Sequence, residues 1–233
     1  MKLKFLIISI VAFLLTACSV QYNLQSHIET SFDVSAESDS ASLSIIAPYK
    51  AGIDSIMNEV LCISKIDMTK GKPESLLGNF VTDLCLQQYS DIADICVMNN
   101  GGLRSSLTKG KITRGDIYTL MPFENKLVIL ELDKESYLEL LQYITERGGE
   151  PFSGIKIIMD ENGTILSQSL DLSNNKVKVL TSDYLANGGD KMSFFNEKKQ
   201  ELVGIKVRDA IINHCLANDT IMSKLDNRLS IIE

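Results

Sequence analysis

Histidine is scarce in this 233-residue sequence, which contains only His27 and His214. Zinc sites and dimetal hydrolytic centres depend heavily on histidine ligands, so a self-contained metallohydrolase is nearly excluded. We therefore expect no resident metal or cofactor in this chain. Proline and glycine, at 4 and 14 residues, are too few for a collagenous or low-complexity chain.

Basic residues are also few, because 23 lysines and arginines stand against 30 aspartates and glutamates. The resulting net charge of −7 argues against a nucleic-acid partner, whose phosphates require a basic surface. The remaining composition, 45% hydrophobic and 23% charged, is that of a globular protein. Its length is sufficient for one sizeable domain with a core.

The N-terminus has the pattern of an export signal. Lys2 and Lys4 precede an apolar run from Phe5 to Leu15, which is too short to span a bilayer. The run ends in Leu15-Thr16-Ala17-Cys18, which resembles the bacterial lipobox. We predict a signal peptide over residues 1–17 and a lipidated Cys18 that anchors the protein to a membrane of the bacterial cell envelope, on the periplasmic side or at the cell surface. A plain secretory signal with an incidental cysteine is the alternative.

Residues 18–45 are rich in serine, aspartate, glutamate and glutamine and have no sustained hydrophobic period. Such a composition predicts a flexible tether, followed by a folded domain over residues 46–233. Four cysteines of that domain have wide, irregular spacings without a CxxC motif, which supports neither a metal knuckle nor a redox motif. We expect buried free thiols at Cys85 and Cys96, and a helix-surface His214 beside a core Cys215. An exported protein could oxidise its cysteines, so the disulfide state of Cys62, Cys85, Cys96 and Cys215 stays open.

Apolar periodicity predicts alternating helices and strands from Pro48 onward. Helices are predicted from near Pro48 through Val60, from Leu76 to Cys85, from Asp133 to Glu146 and from Ile205 to Leu216. Strands are predicted over Asp94–Met98, Leu127–Leu132 and Val177–Leu180, with a hairpin of Ile155–Met159 and Thr164–Leu170 around Glu161-Asn162-Gly163. The face of the third helix is predicted to carry Tyr137, Leu138, Leu141 and Ile144. This mixed order favours a single α+β domain.

Three polar or glycine-containing segments are candidates for a ligand site: Asn99–Arg104, Met121–Asn125 and Tyr184–Asp190. Together they offer two loop aromatics, an arginine and an aspartate. Aromatic faces stack on bases, and a guanidinium fits phosphate or carboxylate groups, so these residues could clamp a base that carries an anionic group. The alternative is that each segment is an ordinary turn.

A wider set of motifs resembles a known family. The set comprises Glu74–Asn79, Asn99–Arg104, Gly115–Tyr118 with Pro122–Asn125, Phe152–Ile155 and Ser182–Asp190. In this order they resemble the C-terminal domain of the 5'-nucleotidase / UDP-sugar hydrolase family, over roughly Ile46 to Glu233. The resemblance implies an α+β domain with a mixed or antiparallel sheet and packed helices.

The resemblance also implies a role for each site residue. Phe123 and Tyr184 would sandwich the base, with tyrosine in place of the more usual phenylalanine. Asp190 would hold the ribose hydroxyls, and Arg104 would face the phosphate. Asn99 and Asn125 would contact the base or sugar.

The sequence departs from the family in three respects. Lys70-Gly71-Lys72-Pro73 stands where the family commonly has a further phosphate-facing arginine, and Asn100 stands where glycine is frequent. In the family, an N-terminal metallophosphoesterase domain with two metal ions performs the hydrolysis, and its metal-binding motifs do not occur here. We therefore expect this chain to bind a nucleoside or nucleotide without hydrolysing it.

Three interpretations follow from that expectation. The chain is the substrate-specificity subunit of a split 5'-nucleotidase, whose separate metallophosphoesterase chain holds the divalent metals. Alternatively it is a solitary nucleoside-binding lipoprotein that serves scavenging. The third interpretation is a structural domain with a degenerate pocket.

Overall fold

The computed structural model describes Ser31 and residues 39–232. The predicted signal peptide, Cys18 and most of the predicted tether lie outside the described residues. The helices are α1 (Ser40–Met57), α2 (Leu76–Tyr89), α3 (Arg114–Leu120), α4 (Lys134–Glu146), α5 (Asp183–Ala186) and α6 (Val207–Ala217). The strands are β1 (Val60–Ser64), β2 (Ile95–Val97), β3 (Gly110–Thr113), β4 (Lys126–Asp133), β5 (Phe152–Ser153), β6 (Ile157–Asp160), β7 (Ile165–Gln168), β8 (Lys176–Ser182), β9 (Gln200–Lys206), β10 (Thr220–Ile221) and β11 (Leu229–Ile232).

The main sheet has five strands in the order β5-β2-β8-β4-β9. Strands β2 and β8 are parallel, and the other neighbours in this sheet are antiparallel. Two three-stranded sheets, β10-β1-β3 and β11-β6-β7, each combine one parallel and one antiparallel pair. These mixed sheets and the packed helices confirm the predicted α+β class.

Strand β4 shows how the core is divided. Leu127 and Ile129 point to one apolar cluster, which α2 and α6 cover. Val128 and Leu130 point to a second cluster, which is covered by α4. Because successive side chains of a strand face opposite sides, the unbroken apolar run from Leu127 to Leu130 has both faces buried.

Most elements of the domain were predictable from periodicity. The structure confirms α2, β2, β4, α4, β8 and the hairpin of β6 and β7. Helix α4 begins where expected because the Asp133 carboxylate accepts the Ser136 N–H at 2.9 Å and caps the helix. Six strands, β1, β3, β5, β9, β10 and β11, were not predicted, since they lack a clear alternation of apolar and polar residues.

The predicted start of the first helix is wrong. Helix α1 begins at Ser40 and includes Pro48 in its interior. Its N-terminus is set by Asp39, whose carboxylate accepts the Ser42 N–H at 3.0 Å. The last residues of the segment predicted as tether, from Ser40 to Ile45, are therefore helical. Val60, which was assigned to this helix, begins strand β1.

Two further details of the predicted helices are corrected. Leu138 is 44% exposed, whereas Leu140 is buried and completes the inner face of α4. Leu138 lies about 100° around the helix from Tyr137, which turns it away from the core. Helix α6 begins at Val207 rather than Ile205, because Ile205 still belongs to strand β9.

The four described cysteines, Cys62, Cys85, Cys96 and Cys215, are buried and free. His214, which was predicted on a helix surface, is half-buried and contacts the Phe80 ring edge-on at 5.7 Å between centroids. Its burial lowers the pKa of the imidazole. Of the helices that the structure describes, none has the length and apolar character needed to cross a membrane.

Candidate functional site

The residues predicted to bind a ligand line one cavity of about 310 Å³, a volume at the lower end of the range for small-molecule sites. Its lining consists of Asn99, Gly101, Gly102, Arg104, Phe123, Asn125, Tyr184 and Asp190. Strands β2 and β8 run parallel, so the loops that follow them leave the sheet at the same edge. Strand β4 is antiparallel to β8 and begins at this edge. The topology thus brings together three loops that are far apart in the sequence.

The first loop follows β2 and makes a 3₁₀ turn over Asn100–Gly102. Asn99 is buried, and its Nδ2 donates to Asp190 Oδ2 at 2.5 Å. A side chain at position 102 is excluded, since its Cβ would lie 2.8 Å from the Asn99 Oδ1. The Arg104 N–H donates to the Leu120 carbonyl at 2.8 Å, while the rest of the residue is exposed. This backbone bond fixes the base of the Arg104 side chain beside the cavity.

Asp190 is held at four of its polar atoms. Its backbone lies in the left-handed region, with φ 51° and ψ 25°, which aspartate tolerates better than most residues. The Tyr184 hydroxyl donates to Asp190 Oδ1 at 2.9 Å and accepts the Asp190 N–H at 3.2 Å. The Tyr143 hydroxyl donates to the Asp190 carbonyl at 2.8 Å. With the bond from Asn99, these contacts fix both the backbone and the carboxylate.

Tyr184 lies in the short helix α5, and its ring packs on the backbone of Gly189. A Cβ at position 189 would lie 2.6 Å from the Tyr184 Cζ, so the close approach requires glycine. Both aromatic residues of the cavity lining are partly exposed, Tyr184 by 45% and Phe123 by 40%. Large aromatic side chains with this much exposed surface offer faces on which a planar group can stack.

The loop that carries Phe123 is held by charges. The Glu124 carboxylate forms ion pairs with Lys206 and Arg208. These partners, Lys206 first and then Arg208, lower the pKa of Glu124 to about 2. Arg208 is buried, and its guanidinium lies over the Tyr118 ring at 4.1 Å from the centroid. The guanidinium also donates to the carbonyl of Phe123 at 3.4 Å, so it connects this loop to α6.

Asn125 is positioned by the backbone on either side of it. Its carbonyl accepts the Val207 N–H at 2.9 Å. The next residue, Lys126, donates its N–H to Asp183 Oδ1 at 3.1 Å. Since Asp183 directly precedes Tyr184, this bond joins the loop before β4 to the loop after β8.

A buried group behind the cavity was not predicted. Glu150, whose side chain is 2% exposed, accepts the Asn100 N–H at 2.7 Å and the Arg147 Nε at 2.8 Å. The Arg147 guanidinium lies over the Tyr143 ring, 5.0 Å from its centroid. Burial raises the pKa of the Tyr143 hydroxyl to about 12. Nothing in the local sequence pattern identifies Tyr143 or Glu150, because their partners are distant in the chain.

The segment that departs from the family pattern lies apart from this cavity. Lys72 donates through its ammonium group to the Arg147 carbonyl at the end of α4. Of the described residues, Arg104 is the only cation in the cavity lining. Within residues 39–232 no group of three or more metal-ligating side chains occurs.

Comparisons with known proteins identify the domain. The model of the family described as "5'-nucleotidase, C-terminal domain" matches residues 55–197. An apyrase of Tabanus yao is 26% identical over 213 residues, which cover 76% of this chain and 38% of the apyrase. A cell wall protein of Listeria monocytogenes is 28% identical over 225 residues, which cover 79% of this chain and 26% of that protein.

A solved structure agrees in fold. The 5'-nucleotidase precursor of Thermus thermophilus superposes with a TM-score of 0.70 at 22% identity, covering 82% of this chain and 43% of that one. The chain thus spans less than half the length of each relative it matches. The family model covers more than half of this chain and includes every residue of the cavity lining. The chain therefore belongs to the 5'-nucleotidase C-terminal domain family.

Proposed function

We propose that this domain binds the nucleoside part of a 5'-nucleotide and supplies the substrate specificity of a split 5'-nucleotidase. The observation that carries the proposal is the cavity, in which two exposed aromatic side chains, an arginine and an anchored aspartate meet. A base, a ribose and a phosphate require these three kinds of group. An aromatic face supplies stacking, a carboxylate accepts hydrogen bonds from hydroxyls, and a guanidinium pairs with phosphate.

Each residue then has a defined part in binding. Phe123 and Tyr184 stack on the base, and Asn125 and Asn99 contact the base or sugar. Asp190 accepts the ribose hydroxyls. Arg104 is the cation that faces the phosphate. Because Lys72 bonds to the Arg147 carbonyl and is not part of the cavity lining, phosphate recognition depends chiefly on Arg104.

Hydrolysis requires a second component in this proposal. The family resemblance assigns the reaction to a metallophosphoesterase domain with two metal ions, and we propose that a separate chain provides it. That chain would hold the divalent metals, which activate water and neutralise the charge of the phosphate. The present domain selects and orients the nucleotide.

We further propose that the protein acts in the bacterial cell envelope, anchored by lipid at Cys18. The lipobox-like sequence before Cys18 supports this location. The similarity to a cell wall protein of Listeria monocytogenes agrees with it. A Cys18→Ser variant is expected to leave the membrane fraction and to lose labelling by a fatty-acid analogue. Unchanged fractionation of this variant would contradict the anchor.

The binding proposal is tested by calorimetric titration of adenosine 5'-monophosphate into the full-length protein. We expect saturable binding that is lost in Phe123→Ala and in Tyr184→Ala. Leu166→Ala, an exposed change on β7 outside the cavity lining, serves as the control and should bind as the wild type does. Absence of binding by the wild type would overturn the proposal.

A solitary nucleoside-binding protein is the second candidate, because the formed cavity also suits simple capture. An assay with divalent metal separates the two. The split enzyme predicts release of phosphate only when a metallophosphoesterase chain is added, with a rate that falls in Arg104→Ala. If the protein only captures nucleosides, the rate of phosphate release by the added metallophosphoesterase chain should not depend on this domain. Hydrolysis by this chain alone would contradict both.

A further inference from the structure

The hydroxyl of Tyr184 makes a contact that stacking does not require. It accepts the Asp190 N–H at 3.2 Å and donates to the Oδ1 of the same residue at 2.9 Å. One oxygen atom thus bridges the backbone and the side chain of Asp190. A phenylalanine has the same ring and cannot make either bond.

Asp190 is a residue whose geometry needs support. Its left-handed backbone, φ 51°, is uncommon outside glycine. Both carboxylate oxygens are engaged by the protein, Oδ1 by Tyr184 and Oδ2 by Asn99. A carboxylate has about four lone-pair directions, so one on each oxygen stays available for a ligand. Two parallel acceptors held in a fixed orientation match a pair of neighbouring hydroxyls.

We propose that the Tyr184 hydroxyl is a positioning group that fixes the Asp190 carboxylate toward the vicinal hydroxyls of a ribose. It thereby sets the preference of the site for ribonucleotides over nucleotides that lack both hydroxyls. This assignment rests on the proposed function, and it separates two roles of one residue: the ring binds the base and the hydroxyl acts through Asp190.

The experiment uses calorimetry on the full-length protein with two probes, adenosine 5'-monophosphate and its 2',3'-dideoxy analogue. Tyr184→Phe keeps the ring and removes only the hydroxyl. We expect it to weaken binding of the ribonucleotide about fivefold, the value of one net hydrogen bond, and to leave binding of the dideoxy analogue unchanged. In an Asp190→Ala background the same substitution should have no effect on either probe.

Tyr137→Phe is the matched control, because it removes a hydroxyl that donates to Gln168 Oε1 outside the cavity lining. It should bind both probes as the wild type does. Equal loss of both probes in Tyr184→Phe, no loss of either, or an undiminished loss in the Asp190→Ala background would overturn the assignment. If the wild type binds neither probe, the proposed function fails and this assignment falls with it. That result is distinct from failure of the assignment alone, in which the wild type binds the ribonucleotide and Tyr184→Phe binds it equally.

Discussion

The two sides of the cavity are held by different forces. The side formed by Asn99, Tyr184 and Asp190, here called the aspartate wall, is joined by short hydrogen bonds that converge on one carboxylate. The side formed by Phe123–Asn125, the phenylalanine wall, is joined to the domain by ion pairs of Glu124, whose side chain is 64% exposed. A single cavity thus combines a fixed half and a half that depends on solution conditions.

The difference follows from where the charges lie. The bonds of the aspartate wall join the Asp190 carboxylate to uncharged donors of Asn99 and Tyr184, and salt has little effect on bonds of this kind. The ion pairs of Glu124 join a carboxylate that is 64% exposed to the buried Arg208 and the partly exposed Lys206, and salt screens the charges that face solvent. Variants of each wall should therefore differ in their response to salt and pH.

Removal of the Asp190 carboxylate is expected to have the largest effect. Asp190→Ala deletes the acceptor of the ribose hydroxyls and leaves the donors of Asn99 and Tyr184 without it. Hydrogen bonds to charged groups contribute about 1.5–3 kcal/mol, so binding of adenosine 5'-monophosphate should weaken by roughly tenfold or more. Calorimetric titration measures this change.

Asp190→Asn is the control for shape. Asparagine also tolerates the left-handed backbone and keeps one carbonyl oxygen, but it loses the second acceptor. We expect an affinity between those of the wild type and Asp190→Ala. Equal affinities for all three proteins would show that the aspartate wall does not take part in binding.

Glu150→Ala tests the support behind the aspartate wall. The substitution leaves the buried Asn100 N–H without its acceptor, which should lower the free energy of unfolding by about 1–3 kcal/mol. Urea denaturation measures the loss. Glu146→Ala removes an exposed carboxylate at the end of α4, four residues before Glu150, and should change the free energy of unfolding by at most about 0.5 kcal/mol. If the Glu150→Ala protein were as stable as this control, Glu150 would not stabilise the aspartate wall.

The elements that sequence reasoning predicted are those with strong local signals. The apolar stripe of α2, the capped start of α4 and the Asn162-Gly163 turn each determine an element from adjacent residues. Strand β10, by contrast, has two residues and exists because β1 pairs with it. A pairing of this kind leaves no pattern in its own segment.

The candidate site likewise has residues that could be predicted from the sequence and contacts that could not. Its lining residues lie in recognisable motifs, so Phe123 and Arg104 could be assigned from the sequence and its family resemblance. The contacts that support the site could not be assigned, because Tyr143 bonds to Asp190 and Glu150 to Asn100, 47 and 50 residues away in the chain. Side-chain hydrogen bonds at such separations depend on the fold and have no sequence period.

Of these variants, Glu124→Gln should have the smallest effects on nucleotide affinity and on the free energy of unfolding. These effects should also depend most strongly on pH and salt. The pKa of Glu124 is lowered from 4.5 to about 2, so its ion pairs stabilise the folded state above the unfolded value and lose that contribution as the pH falls from 4.5 towards 2. The stability difference between wild type and variant should therefore be present at neutral pH and vanish in acid, as measured by urea denaturation across this range.

Variants of the two walls should respond differently to high salt. At about 1 M salt, where screening acts within a few ångströms, the effect of Glu124→Gln on nucleotide affinity should disappear. The effect of Asp190→Ala should persist, because its hydrogen bonds are made to the uncharged groups of Asn99 and Tyr184, and salt screens interactions between charges. Titrations of both variants at low and high salt make the comparison. If Glu124→Gln were as resistant to salt as Asp190→Ala, the phenylalanine wall would be held by its backbone contacts and not by its charges.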